Sequence, residues 1–258
     1  MKTILAILLM LVTAAAQAPT AAAPQDESAR KARVLLDQMT QALGGSAYLN
    51  IQDISQEGRS YGFSHGESGT GALFWRFYKY PDKERVELTK QRDWIIIHNG
   101  DQGYEITFRG TNPEDAEPHA QYLLRAPFAL DRILRQWLTE PGVVFFYDGI
   151  AIAERKQCDK VTLLNPANQS VSIFIDTISH LPVKKSFTHR DPTYHDSDVE
   201  DEVYDNYHNV QGVMTPYDVT RMHNGEMQNQ RFINKITYNS NLADSMFTAI
   251  VTVPPKKK

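Results

Sequence analysis

The sequence predicts a mainly β protein of the α+β class: about ten or eleven antiparallel strands in one curved sheet, with an N-terminal and a middle helix packed against the same side. Three observations carry this reading. Short apolar and aromatic runs follow one another with Gly, Pro and Asn between them. Asn-Gly pairs stand between runs, as tight antiparallel turns require. No helical pattern alternates with the strands, as βαβ crossovers would demand. At 258 residues and 41% hydrophobic, with 3 Trp, 12 Tyr and 11 Phe, the chain can build one sizeable core. Its one cysteine, Cys158, leaves no internal disulfide to help.

Met1-Lys2-Thr3 precedes an apolar stretch from Ile4 to Val12 and small residues at Ala14, Ala15, Ala16 and Ala18, the order of a secretory signal peptide. We read residues 1–18 as that signal, 19–25 as a disordered Ala/Pro linker, 26–250 as a single domain and 251–258 as a basic tail. A membrane anchor needs about 20 apolar residues, and this run is shorter. Cleavage after Ala16 or Ala18 leaves no N-terminal cysteine to carry a lipid, so the expected product is exported and unanchored. A formal charge of −4 makes nucleic acid an unsuitable partner.

Taken in order, Asp26 or Ser28 caps a helix whose apolar residues Ala32, Leu35, Leu36, Met39, Ala42 and Leu43 recur at spacings of three and four, and Gly44-Gly45 ends it. Strands follow at 51–61, 72–80, 83–90, 93–98 and 103–109, with Asn99-Gly100 as a hairpin signal. His119 to Arg125 reads as a short helical turn. Pro127 then opens a second helix carrying Leu130, Ile133, Leu134, Trp137 and Leu138, which Pro141-Gly142 stops. Asp148-Gly149 reads as a hairpin between short runs around Val143 and Ile152, and Asn224-Gly225 as another between 217–223 and 228–238. In Leu73 to Tyr78 and Trp94 to Ile97 both alternate faces are apolar, so something covers both sides of the sheet there. Either the helices complete a core, or they form a lid over an apolar cavity.

Chemistry-bearing patterns are sparse. Gly62-Phe63-Ser64-His65-Gly66 matches the nucleophile-elbow spacing, but glycines and a strand follow it where a helix should stand. His189, Asp191, His195, Asp196, Asp198, Glu200, Asp201 and Glu202 have the composition of a metal site without any established spacing, and an acidic, solvated loop accounts for them. Asn168-Gln169-Ser170 is a sequon that turn chemistry explains. There is no phosphate loop and no CxxC. The sequence therefore assigns no catalytic residue, no metal ligand and no cofactor.

Read together, the segments resemble the outer-membrane lipoprotein carrier or sorting family, the LolA/LolB-like proteins. The likeness rests on the helix ending Gln41-Ala42-Leu43-Gly44-Gly45; on Phe74 to Tyr80, Pro81-Asp82-Lys83 and Arg85-Val86-Glu87-Leu88; on Val171 to Asp176 with His180-Leu181-Pro182-Val183-Lys184; and on Tyr204 to Tyr207, Val210 to Pro216, Ile236 to Asn239, Asp244 and Phe247. The resemblance implies an incomplete antiparallel β-barrel wrapped around an N-terminal helix and a middle helical lid. It further implies a monomeric, non-enzymatic periplasmic carrier that shelters lipoprotein acyl chains or another apolar ligand between membrane-bound donor and acceptor proteins. Candidate wall residues are Leu73, Trp75, Phe77, Val86, Leu88, Ile95 and Ile97, with Leu130, Leu134 and Trp137 from the lid. In the family a sheet arginine latches the lid, and Arg76 and Arg85 are the positions that could do so; surface cross-strand pairing is the other reading of both. Two alternatives stand beside the carrier: a periplasmic sensor or envelope-assembly scaffold that binds protein, and a metal-dependent hydrolase built on 189–208.

Overall fold

The computed structural model describes residues 24–190 and 196–252. The predicted signal, most of the linker, Asp191, His195 and the closing lysines lie outside the described residues. Helix α1 (Pro24–Leu43) buries Ala32, Leu35, Leu36, Met39 and Leu43, the stripe that its periodicity predicts. It begins before either expected cap. Ser28 lies inside the helix, and its Oγ accepts the Tyr147 N–H at 2.8 Å, which ties α1 to the sheet. A short α2 (Ser46–Leu49) follows.

Six strands and a two-residue spur come next: β1 (Asp53–Ser64), β2 (Glu67–Ser68), β3 (Ala72–Lys79), β4 (Lys83–Leu88), β5 (Trp94–Asn99), β6 (Gln102–Thr107) and β7 (Gly110–Pro113). A helical interval holds α3 (Ala116–Arg125), a tight turn (Ala126–Phe128) and α4 (Leu130–Arg132), which widens into a π-turn (Ile133–Trp137). Seven strands complete the chain: β8 (Val144–Ala153), β9 (Lys156–Leu164), β10 (Ser170–Asp176), β11 (Pro182–Arg190), β12 (Ser197–Val210), β13 (Val213–His223) and β14 (Glu226–Tyr238). Fourteen strands, against the ten or eleven predicted, form one sheet in the order β7-β6-β5-β4-β3-β1-β14-β13-β12-β11-β10-β9-β8, with β2 on β1.

Two antiparallel meanders are thus joined at the centre by the pairing of β1 with β14. The outer strands β7 and β8 do not pair, so the barrel stays open. The helical interval is the connection between these two edges, and the short way from one to the other crosses the concave face. That is why α3 and α4 lie where a lid must lie.

Turn chemistry succeeded in one place and misled in another. At Asn224-Gly225 both residues have positive φ, 50° and 80°, between the paired His223 and Glu226, the geometry of a type I′ hairpin. Asp148-Gly149 is not a hairpin. It is a bulge inside β8, where the register shifts between Tyr147 and Gly149, and the reversal falls at Glu154-Arg155, φ 48° and 62°. Neither of those residues carries a turn signal. Gly62 to Gly66 forms an exposed hairpin with His65 and Gly66 at positive φ, so Ser64 does not sit on a strand-to-helix turn.

Most of the core lies between α1 and the second meander: Leu36 and Met39 pack with Val161, Leu163, Val171, Ile173 and Ile175, and the lid adds Phe128, Ile133, Leu134 and Trp137. The doubly apolar strands have another cover. After β14 the chain crosses the outer face of β3 to β7, held by buried Asp53, whose carboxylate accepts the Ser240 and Leu242 N–H groups. Arg85 donates to the Met246 carbonyl and Asn99 to that of Phe247. Thr111 and Thr252 exchange hydrogen bonds. Phe247 is fully buried.

Candidate functional site: a lidded cavity on the concave face

Because side chains alternate along a strand, the cross-strand pairs sort the predicted wall residues onto two faces. Arg76 pairs with Val86 and Phe74 with Leu88 on the concave side. Leu73, Trp75, Phe77, Ile95 and Ile97 belong to the convex side, where Arg85 and Glu87 pair with each other and the C-terminal segment covers them. Arg92 lies over Trp75 and Phe77 there. Of the twelve residues singled out from the sequence, Arg76 and Leu130 line the cavity. Leu134 and Trp137 are packed into the core beside it.

The cavity measures about 260 Å³ and lies between the lid and strands β1, β3, β4 and β11 to β14. One pole is apolar, with Leu43, Tyr48, Ile54, Val213, Ile233 and Tyr238. The other is charged, with Arg76, Glu84, Arg125, Lys185, Glu202, Arg221 and Arg231. Sequence reasoning missed this second pole, although a signal existed. Lys185 and Phe187 stand two residues apart and share one face, opposite Ile173 and Val171, which puts a lysine at an inward position; its side chain is only 4% exposed.

Electrostatics at the charged pole follow from burial and partners. Lys185 donates to Glu202 at 2.7 Å, and Arg231 and Arg221 stand 3.6 and 3.9 Å from the same carboxylate. Burial works against the charge of Glu202, but these three cations outweigh it and hold its carboxyl well below the usual range. For Arg231 the balance runs the other way: burial, with Arg221 and Arg76 nearby, lowers its pKa to about 9, and its Nε has no hydrogen-bond partner. Arg76 bonds Glu84 and Gln56. Burial alone would raise the Glu84 pKa, yet Arg76 and His98 pull it far below normal.

The latch has the opposite polarity to the expected one. Neither Arg76 nor Arg85 hydrogen-bonds the lid; Arg76 is satisfied by Glu84, and Arg85 is on the far face. The arginines come from the lid. Arg135 donates to the Ile51 and Tyr48 carbonyls at 2.7 and 2.8 Å, Arg132 to that of Pro81, and Arg125 to Glu200 at 3.4 Å. From the sheet, the Tyr78 hydroxyl shares its one proton between the Pro81 carbonyl at 2.7 Å and Asp131 in the lid at 3.0 Å. Tyr122 stacks on His98 at 3.6 Å and Phe128 on Phe187 at 4.0 Å. Burial and the Asp131 charge raise the Tyr78 pKa, which keeps the hydroxyl protonated as the donor.

An open antiparallel half-barrel closed by a helical lid is the LolA-like architecture. No protein-family model matches this sequence, and no curated protein matches it. Among solved structures, the chain is similar to a DUF1329 family protein from Desulfovibrio piger (9% identity, TM-score 0.57, covering 84% of this chain and 97% of that one). It is similar also to an outer membrane lipoprotein-sorting protein domain from Vibrio parahaemolyticus (9%, TM-score 0.55, 85% and 97%) and to a LolA superfamily protein from Nitrosomonas europaea (13%, TM-score 0.52, 84% and 97%). At such identities the likeness shows the fold. No helix among the described residues is long and apolar enough to cross a membrane.

Proposed function

We propose that this chain is a non-enzymatic periplasmic carrier that shelters the acyl chains of a lipoprotein, or another apolar ligand, under its lid. It would take the cargo from one membrane-bound partner and give it to another. The observation that supports this most is the cavity itself: an unfilled space at the centre of the sheet, apolar at one pole and roofed by helices that polar contacts hold shut. Each methylene buried at the apolar pole gains about 0.8 kcal/mol, so capture needs no chemistry. At about 260 Å³ the cavity is just below the range of roughly 300–1,000 Å³ typical of ligand pockets. A full acyl chain therefore enters with the lid raised, and the latch sets the rate.

Mass spectrometry of lipid extracted from protein purified from its native envelope tests the reading, with about one acylated species per chain expected. Asp131→Asn weakens the charged hydrogen bond from Tyr78, worth about 1.5–3 kcal/mol, and is expected to speed uptake of a fluorescent fatty acid by roughly tenfold. Lipid-free protein that also fails to take up the probe with its latch loosened would overturn the proposal.

A further inference from the structure

Above the charged pole, three neighbouring strands bring together two histidines outside the cavity lining and one carboxylate that borders it. His189 on β11, Glu200 on β12 and His223 on β13 each offer one ligand atom, and these atoms all lie within 4.8 Å of one another. His223 Nδ1 is 2.8 Å from Glu200 Oε1, and His189 Nε2 is 3.7 Å from the same oxygen. Four-coordinate zinc holds its ligands at about 2.0–2.1 Å, which places them about 3.3 Å apart. Small side-chain rotations would close the set around an ion.

We propose that His189, Glu200 and His223 form a binding site for a divalent transition metal, zinc by the character of its ligands. Two imidazoles and one carboxylate suit that ion, whereas calcium and magnesium take oxygen donors. A second observation supports this: among the described residues His189 Nε2 is buried and makes no hydrogen bond, a state that costs about 1–3 kcal/mol unless something satisfies the nitrogen. The surrounding groups hold the ligands in place. Arg125 donates to Glu200 Oε2, which leaves Oε1 facing the two rings. The other nitrogen of His223 faces Asp198 at 3.8 Å and Asn224 at 3.3 Å, and Asn224 itself donates to Asp198. With Nδ1 on the metal, Nε2–H must donate, and a small rotation away from the Asn224 amide would bring it onto the Asp198 carboxylate, the kind of acceptor that commonly orients a ligating histidine. Glu200 also belongs to the cavity wall, so the position left open by three protein ligands adjoins the ligand space.

The test titrates zinc chloride into tag-free, chelator-stripped mature protein by calorimetry, with magnesium chloride as the comparison. One equivalent of zinc is expected to bind, with magnesium at least 100-fold weaker. His189→Ala and His223→Ala should each lower zinc affinity at least 100-fold, and His65→Ala, on an exposed hairpin, should leave it unchanged. Should either variant fail to fold, X-ray absorption of the zinc-loaded wild type decides, since two imidazole ligands are expected in its spectrum. Absence of saturable zinc binding, unchanged affinity in folded His189→Ala and His223→Ala, or a zinc spectrum without imidazole would each overturn the site. None of these results bears on lipid capture.

Discussion

The two ends of the concave face obey the same strand alternation and reach opposite outcomes. Beneath α1, the inward positions of β9 and β10 are Val161, Leu163, Val171, Ile173 and Ile175, each at most 1% exposed. Beneath the lid, the inward positions of β3, β4 and β11 to β14 include Arg76, Glu84, Lys185, Glu202, Arg221 and Arg231. One end is filled by apolar side chains that leave almost no exposed surface. The other keeps a space and surrounds part of it with charges that need one another. Burial of this kind adds little net stability, so the charged pole is better understood as shaping a site than as holding the fold together.

The largest expected effect tests that contrast directly. Glu202→Gln leaves Lys185, Arg221 and Arg231 facing each other without their shared carboxylate, and removing one partner of a buried ionic group costs about 3–5 kcal/mol. Urea unfolding should register it. Replacing Lys185 by Met in the same chain is expected to restore part of the loss, and a double variant as unstable as the single would break the account. In the filled end, Ile173→Ala is expected to cost about 2–5 kcal/mol. Ile54→Ala, at the cavity wall, removes a side chain that already borders empty space and is only partly buried. It should cost about half as much or less, and equal losses at the two positions would erase the distinction between core and site.

The smallest effect concerns the seat of the lid. Burial lowers the His98 pKa, but Glu84 and Glu114 outweigh burial and leave it raised above 6.5. Protonated His98 therefore stabilises the folded state in full below about pH 6.5, and the contribution fades as pH rises through the raised value. His98→Gln should lower the unfolding midpoint more at pH 6 than at pH 9. A deficit that grows with pH would reverse the sign and the assignment.

Much of the fold was legible because strands and turns are local. The α1 stripe, the Asn224-Gly225 turn and the doubly apolar β3 and β5 all follow from spacings of a few residues. Even there, Glu154-Arg155 shows that a tight turn can form without the residues that announce one. The cavity was far less legible. Leu73, Trp75 and Phe77 look like wall residues in sequence, yet alternation could not say which face was concave; on the convex face Arg92 lies over Trp75 and Phe77, and residues 240–252, which carry no periodic pattern, dock beside them on β4, β5 and β7.

The sequence by itself determined the antiparallel β class, the helix that packs on the sheet and the interval that becomes a lid, since propensity and period act over short distances. Tertiary structure alone decided that the two meanders join through β1 and β14, that the lid spans their free edges, and that His189, Glu200 and His223 meet. Those outcomes depend on register between strands, which brings side chains together across the sheet whatever their separation along the chain.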